Sequence, residues 1–328
     1  ARSAPAAPVA QTPSVASTHS TERFVARVVT RTEVARDVAE FVFSPVDSSV
    51  ELEWDAGAHI TIHLPNGLER QYSLCGDPAD NTSPTIAVLN TRGEGGGSQW
   101  IHENLRPGME IEVDYPLQTF PLRAHKKYQF IASGIGITPI KAMIATIPAQ
   151  REWELIYIGR HREDMAYRDE LARFCGDHLF TYVTSERGKR ISLPDVIDPI
   201  AHIYACGSEA LMEQLEEIVP AERLHIERFT PRDRSAEHSA SALTVTWEPT
   251  GQTVSVPAET PVLDAMEQQG ISVTGSCRRG VCGSCELRVV DGVPAHLDSV
   301  MSDEDKDEIG AFYPCVSRAQ GDSITLSY

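Results

Sequence analysis

No stretch of this 328-residue sequence approaches the roughly 20 consecutive apolar residues that a membrane-spanning helix needs. A spanning protein is excluded on that count. Positive charge is also scarce: 29 Lys plus Arg stand against 47 Asp plus Glu, a formal net charge of −18 that repels nucleic-acid backbones and anionic lipid surfaces. Neither nucleic acid nor a membrane is therefore expected as a partner. Cysteine is too sparse, at seven, and odd in number for a disulfide scaffold of this length. Aromatic residues make up only 7%, no internal repeat is present, and the G-x-G-x-x-G fingerprint of dinucleotide sites is absent. What remains is a composition of 41% hydrophobic and 23% charged residues, that of a globular protein long enough for two or three domains of about 100 to 150 residues.

The chain changes texture along its length. Residues 1–22 are mostly Ala, Pro, Ser, Thr and Val without periodicity, which reads as a disordered tail; they lack the apolar core of a secretory signal and the arginines of a transit peptide. Over 23–124, short runs rich in β-branched residues (Phe24 to Thr30, Ala39 to Ser44, His59 to Leu64, Arg70 to Cys75, Thr85 to Leu89, Met109 to Asp114) predict a small antiparallel β-barrel, interrupted by one helix near Gly97 to Leu105. Over 125–231 the rhythm becomes strand, turn, helix, which predicts an α/β domain with a parallel sheet. A polar linker over 232–241 then leads to a terminal domain, 242–328, with five Lys plus Arg against thirteen Asp plus Glu, a net of −8. The histidines show no metal-ligand spacing, and the acidic run Asp303 to Glu308 reads as a solvated helix face. Cys75 and Cys175 read as buried thiols.

Four of the seven cysteines crowd the end of the chain. Cys277, Cys282 and Cys285 have the spacing C-x4-C-x2-C, and Cys315 follows about thirty residues later. That is the plant-type spacing for a 2Fe-2S cluster, in which one compact loop delivers three thiolates. Gly275, Gly280 and Gly283 suit such a loop, since missing side chains let backbone N–H groups approach the sulfides. A structural zinc site is the alternative, but zinc usually takes two short Cys pairs. The terminal domain resembles plant-type ferredoxins, which implies a β-grasp fold.

In the barrel, Arg70-Gln71-Tyr72-Ser73 lies on an expected strand whose alternation puts Arg70 and Tyr72 on one face, a cation for a phosphate and a phenol for a planar ring. Gly95, Gly96, Gly97 and Ser98 precede the expected helix, where free N–H groups and a capping hydroxyl form an anion site. In the middle domain, Ser133-Gly134-Ile135-Gly136-Ile137-Thr138-Pro139 follows a strand and opens a helix, and Cys206-Gly207-Ser208 ends another strand; such loops at the carboxyl ends of parallel strands collect ligands. These segments resemble the ferredoxin-reductase superfamily, with Ser133 and Ser208 departing from its motifs. The resemblance implies that Arg70 and Ser98 hold a flavin phosphate, that Tyr72 and Ser73 meet the flavin ring, and that the strand around Ala87, Val88 and Leu89 meets its pyrimidine edge. It further implies that Gly134, Gly136, Thr138, Pro139, Arg160, Cys206 and Gly207 form the nicotinamide site, with Ser73, Thr138 and Cys206 at the point of hydride transfer. Phe229 would cover the flavin. Ser185 to Arg190 sends mixed signals on the adenosine ribose, since Arg187 or Lys189 would welcome a 2′-phosphate and Glu186 would oppose it.

The order flavin, nicotinamide, ferredoxin resembles the phthalate dioxygenase reductase and vanillate demethylase reductase family across the chain after residue 20. That implies FMN rather than FAD, NADH rather than NADPH, and an electron-supplying role for a Rieske-type terminal oxygenase in aromatic catabolism, in a reducing, cytoplasmic setting. The cofactors explain the order: nicotinamide gives two electrons as hydride, an iron-sulfur cluster takes one at a time, and the flavin converts between them. Three alternatives stay open: an FAD-containing reductase for a di-iron monooxygenase or a cytochrome P450, a stand-alone diaphorase, and a non-catalytic protein with a structural four-cysteine zinc site.

Overall fold

Alternation of apolar and polar residues builds the first domain. Strand β1 (Arg23–Ala35) buries Phe24, Ala26 and Val28 while Arg23, Val25 and Arg27 point outward, the period-two pattern of a half-buried strand. A computed structural model of the chain describes residues 23–93, 96–238 and 241–328; the tail expected over 1–22, Gly95 of the glycine run and linker residues 239 and 240 lie outside the described residues. With β2 (Val38–Pro45), β3 (Ala58–His63), β4 (Glu69–Ser73), β5 (Thr85–Leu89) and β6 (Glu110–Asp114), β1 forms an antiparallel sheet in the order β4-β3-β6-β1-β2-β5. A bridge from Leu74 to Ile86 and a bond from Cys75 N to Thr85 O at 2.9 Å join its two edges, so the sheet closes into a barrel. Phe41, Phe43, Ile60, Ile62 and Leu74 fill it. Helix α1 (Gly97–Asn104) lies between β5 and β6, and the two-residue β7 (Leu117–Gln118) pairs with β3.

The second domain is a five-stranded parallel sheet in the order β10-β9-β8-β11-β12: β8 (Lys127–Ser133), β9 (Glu152–Gly159), β10 (Leu179–Val183), β11 (His202–Cys206) and β12 (Leu224–Glu227). Helices α2 (Ile137–Thr146), α3 (Arg168–Cys175), α4 (Thr184–Arg187) and α5 (Glu209–Ile218) connect them. The strand order reverses between β8 and β11, the switch point at which open α/β sheets bind ligands. Strands β10 and β12 are edge strands that the sequence reading did not mark. Cys75 and Cys175 are buried, and burial pushes their thiols up to about 12 and about 11 respectively.

The third domain is a β-grasp: β13 (Leu243–Trp247), β14 (Gln252–Val256), β15 (Leu287–Asp291), β17 (Ala311–Phe312) and β19 (Ser323–Ser327) in the order β14-β13-β19-β15-β17, with α6 (Val262–Gln268) across the sheet. The pair β16 (Pro294–Ala295) and β18 (Arg318–Ala319) stands apart, and α7 (Asp303–Ile309) carries the acidic run. That run is only in part a solvated face. Asp305 takes a bond from Arg123 at 2.8 Å and Asp303 a two-pronged contact from Arg234 at 2.9 and 2.7 Å, whereas Glu304 and Glu308 are exposed. Lys306, in the same run, is fully buried against Asp298 at 2.9 Å. The expected linker is likewise held at Arg234, and Arg232 N donates to Ser299 Oγ at 3.1 Å. No helix among the described residues is long and apolar enough to cross a membrane.

Candidate functional site

Strand β4 and the start of α1 meet over one spot. A Cβ added to Gly97 would lie 2.4 Å from Arg70 Nε and 2.7 Å from its Cγ, so the guanidinium side chain lies directly across the first helical residue. The helix cap is Gly96 in the left-handed conformation (φ 66°), which a residue with a side chain resists. Arginine and helix start therefore converge as an anion cradle. Contrary to expectation, Ser98 does not cap the helix but sits in its first turn, and its hydroxyl engages Thr91, through the backbone N at 3.2 Å and Oγ1 at 2.9 Å. Tyr72 packs against the barrel core, and burial raises its phenol. Along β5, Ala87 and Val88 are buried, and the Val88 carbonyl lies 2.8 Å from His102 Nε2. Gln71 is half-buried on β4.

The two loops at the switch point interlock. A Cβ on Gly136 would stand 2.2 Å from the Cys206 carbonyl oxygen, and one on Gly207 would stand 2.5 Å from Ser133 Cβ, so neither position admits a side chain. Gly134 has φ 56°. The serine that replaces a glycine at 133 is thus accommodated because Gly207 faces it. Pro139 falls in the first turn of α2, as its fixed φ favours, and Thr138 is buried with its hydroxyl donating to the Ile135 carbonyl at 3.0 Å. That hydroxyl closes the turn. Arg160 is exposed beyond β9, where its carbonyl accepts from Ser185 N at 3.0 Å. Glu186 is bound on both carboxylate oxygens by Arg162.

Barrel and sheet come together at these elements. Ser73 Oγ donates to Glu227 Oε2 at 3.4 Å, across the domain boundary. Glu227 ends β12 beside Cys206 of β11. Burial pushes the Glu227 carboxyl up to about 8, and it raises the Cys206 thiol, with the Glu227 charge acting in the same direction. Ser73 and Cys206 were legible as motif residues. Glu227 was not, because LHIE carries no motif; the signal was a carboxylate placed opposite a motif cysteine once strands are paired. Next along the chain, buried Arg228 ties the segment to α5 through Glu209 at 3.2 Å and Glu216 at 2.8 Å, and Phe229 is exposed.

The four cysteines converge. Cys277 pairs with Cys282 and Cys285 with Cys315, and Cys282 acts electrostatically on Cys285. Hydrogen bonding from the Cys282 thiol, opposed by burial and supported by amides of Val281 and Arg279, lowers the Cys277 thiol. Arg279 N donates to Cys277 Sγ at 3.3 Å, and Ser284 Oγ lies 3.1 Å from Cys282 Sγ. Four thiols with amides aimed at sulfur suit a 2Fe-2S cluster. The loop glycines, however, answer to packing: a Cβ on Gly280 would meet Val316 and Asp298, and one on Gly283 would lie 2.8 Å from Thr119 Cγ2 and 3.9 Å from Leu117 Cδ2.

Those last two contacts belong to the barrel. His59, buried on β3, lies 3.2 Å from Thr119 Oγ1 and reaches the Cys282 backbone, and burial lowers its ring to about 4. The cluster loop consequently has one side against the flavin barrel, at Cys282 and Gly283. At its other side Cys277 is half-buried, and Arg278 and Arg279 are exposed.

Comparison with known proteins agrees domain by domain. Residues 25–121 match the oxidoreductase FAD-binding domain, 130–217 the oxidoreductase NAD-binding domain and 245–320 the 2Fe-2S iron-sulfur cluster binding domain. Vanillate O-demethylase oxidoreductase of Pseudomonas putida is 35% identical, over 91% of this chain and 98% of its own. The solved structure of phthalate dioxygenase reductase, described as a modular structure for electron transfer from pyridine nucleotides to [2Fe-2S], superposes with a TM-score of 0.65 at 28% identity, over 93% of this chain and 98% of that one. An intact type IV self-sufficient cytochrome P450 monooxygenase is similar at 34% identity and a TM-score of 0.85, over 93% of this chain; the chain spans 41% of that protein's length.

Proposed function

The chain belongs to the family of vanillate O-demethylase oxidoreductase and phthalate dioxygenase reductase, three-domain flavin, nicotinamide and 2Fe-2S oxidoreductases, and from that membership we propose that it carries electrons from NADH through FMN and the cluster to a Rieske-type terminal oxygenase acting on an aromatic substrate. The observation that carries this reading is the placement of the cluster loop, packed on the barrel through Gly283 and Cys282 and open to solvent at Arg278 and Arg279, beside half-buried Cys277. One side receives and the other delivers.

When bound, flavin accepts a hydride and releases electrons singly, which is the conversion between nicotinamide and cluster. The chain's part is alignment. Arg70 and the α1 start would hold the flavin phosphate, with Gly95 in the same glycine run, and a single phosphate fits the one cradle described. Ala87, Val88 and Leu89 would flank the pyrimidine edge and Phe229 the ring face. Tyr72 and Ser73 would meet the ring, while Gly134, Gly136 and Gly207 keep the nicotinamide loops close enough to bring the second ring alongside. Ser73 and Cys206 stand where the two domains touch, and Glu227 bonded to Ser73 fixes that hydroxyl. Arg160 would reach the dinucleotide, and Glu186, drawn towards Arg162, would favour a free ribose hydroxyl and hence NADH.

The outward acid of the terminal domain is smaller than its −8 implies, since Asp303 and Asp305 are committed to Arg234 and Arg123. Glu304 and Glu308 remain exposed for a basic partner surface. Mass spectrometry of the flavin released by heat tests the first half, with FMN expected and FAD refuting it. Reconstituted turnover with a Rieske oxygenase tests the second; electron delivery to a haem monooxygenase and not to a Rieske protein would overturn the partner class.

A further inference from the structure

Away from the nicotinamide loops, at the opposite end of the parallel sheet, three histidines from separate parts of the sequence meet. His125 precedes β8, His202 is the first residue of β11 and His225 the second of β12. Because β8, β11 and β12 are neighbours in the sheet, their amino ends bring the three rings together although 77 and 23 positions separate them in sequence. One ligating nitrogen of each ring lies within 4.8 Å of the others. We propose that His125, His202 and His225 form a binding site for one zinc ion.

The geometry carries the proposal. His202 Nδ1 and His225 Nε2 are 3.3 Å apart. Two nitrogens bound tetrahedrally to one zinc, at about 2.0 to 2.1 Å each, are separated by about 3.3 to 3.4 Å. His125 stacks face to face on His202, with centroids 3.4 Å apart and rings 10° from parallel, and since a metal lies in the plane of each imidazole it binds, the His125 ring must rotate out of this stack to share an ion with His202. It sits just ahead of β8, where such a turn disturbs no ladder. The surroundings suit a metal-binding imidazole set, whose rings are usually held by an outer layer of contacts. The fully buried Tyr204 supplies that layer: its hydroxyl lies 3.3 Å from His125 Nε2, and its ring stacks on His225 at 4.4 Å. All three histidines keep partial solvent access, which leaves an entry path and a fourth position for water. The neighbouring Arg123 guanidinium, which would oppose a cation, is paired with Asp305 at 2.8 Å. Burial first, then the neighbouring imidazoles and the Arg123 guanidinium, lower His125 and His225 to about 4, which leaves both rings neutral near neutrality. An ion here would tie the segment leaving the barrel to β11 and β12, beside the Arg123 bridge to α7.

Equilibrium dialysis of the full-length protein, flavin and cluster intact, against micromolar zinc, followed by metal analysis, tests this. One zinc per chain is expected in addition to the cluster iron. His125→Gln and His225→Gln should each weaken binding by tenfold or more while leaving flavin and cluster absorbance unchanged, which certifies that the variants are folded. Binding of no zinc by the parent protein, or retention of zinc by either variant, would overturn the site and leave a stack of hydrogen-bonded imidazoles.

Discussion

Replacing Glu227 by Gln isolates the electrostatic cost of placing a carboxyl between Ser73 and Cys206. In the folded protein, burial raises this group from its ordinary 4.5 to about 8. A raised carboxyl contributes stability that is fully present below pH 4.5 and is lost as pH rises through 8, because the unfolded chain releases a proton that the folded chain retains. At about 1.4 kcal/mol per pH unit, the full shift bounds the loss at about 5 kcal/mol. The Glu227 residue is half-buried, not sealed, so about 2 to 3 kcal/mol is the fairer figure. Glutamine keeps the shape and can still bond Ser73, yet does not ionise. Urea unfolding of parent and Glu227→Gln, followed by far-ultraviolet circular dichroism from pH 5 to pH 8.5, should show the two within about 1 kcal/mol at pH 5 and the variant ahead by about 2 to 3 kcal/mol above pH 8. Parallel curves across that range would refute the burial argument.

Three further perturbations follow from the packing. Gly97→Val drives a branched side chain into Arg70, whose nearest atom is 2.4 Å from the new Cβ; flavin affinity, measured by fluorescence on release, should fall tenfold or more with the cluster retained. Gly136→Ala sets its methyl against the Cys206 carbonyl at 2.2 Å, a backbone atom that cannot swing away; KM for NADH should rise at least tenfold, about 1.4 kcal/mol, at unchanged flavin content. Lys306→Met removes the ammonium from the buried Asp298 carboxylate, which keeps Ser317 Oγ at 2.8 Å, Val300 N at 3.2 Å and, further off, His296 Nδ1 at 3.9 Å. A loss of about 3 to 5 kcal/mol is expected, and since Ser299 N holds the Gly280 carbonyl at 2.7 Å, cluster absorbance should decay faster in chelator.

Much of this arrangement could be read from the sequence because the residues that announce it are local. The spacing of Cys277, Cys282 and Cys285 reports a loop, and alternation in Phe24, Ala26 and Val28 reports a strand, without reference to anything distant. The barrel strands β2 to β6 accordingly fall within a residue or two of their expected bounds, whereas β1 runs on to Ala35, five residues past the expected Thr30. What escaped depends on pairing across long separations. Edge strand β12, Leu-His-Ile-Glu, is short and half polar, so no apolar run marks it, whereas β10, Leu-Phe-Thr-Tyr-Val, has strand-forming residues and went unmarked because only Gly176–His178 separates it from the helix before it. With β12 unseen, Glu227 could not be set beside Cys206, nor His225 beside His202. Ser98 shows a different limit: Gly96 in a left-handed conformation takes the cap position, a backbone outcome that residue type alone does not decide. The role of Gly283 as a contact with Thr119 needed the neighbouring domain.

On the proposed function, electrons pass within one chain from the flavin barrel to the cluster held by the loop packed against it. Anaerobic stopped-flow mixing with NADH, followed at flavin and cluster wavelengths over a tenfold range of protein concentration, tests it most directly. Cluster reduction should follow flavin reduction at a rate independent of protein concentration. A cluster reduction rate that rises in proportion to protein concentration would mean transfer between chains, and a cluster that stays oxidised would mean no transfer at all; either result refutes internal transfer.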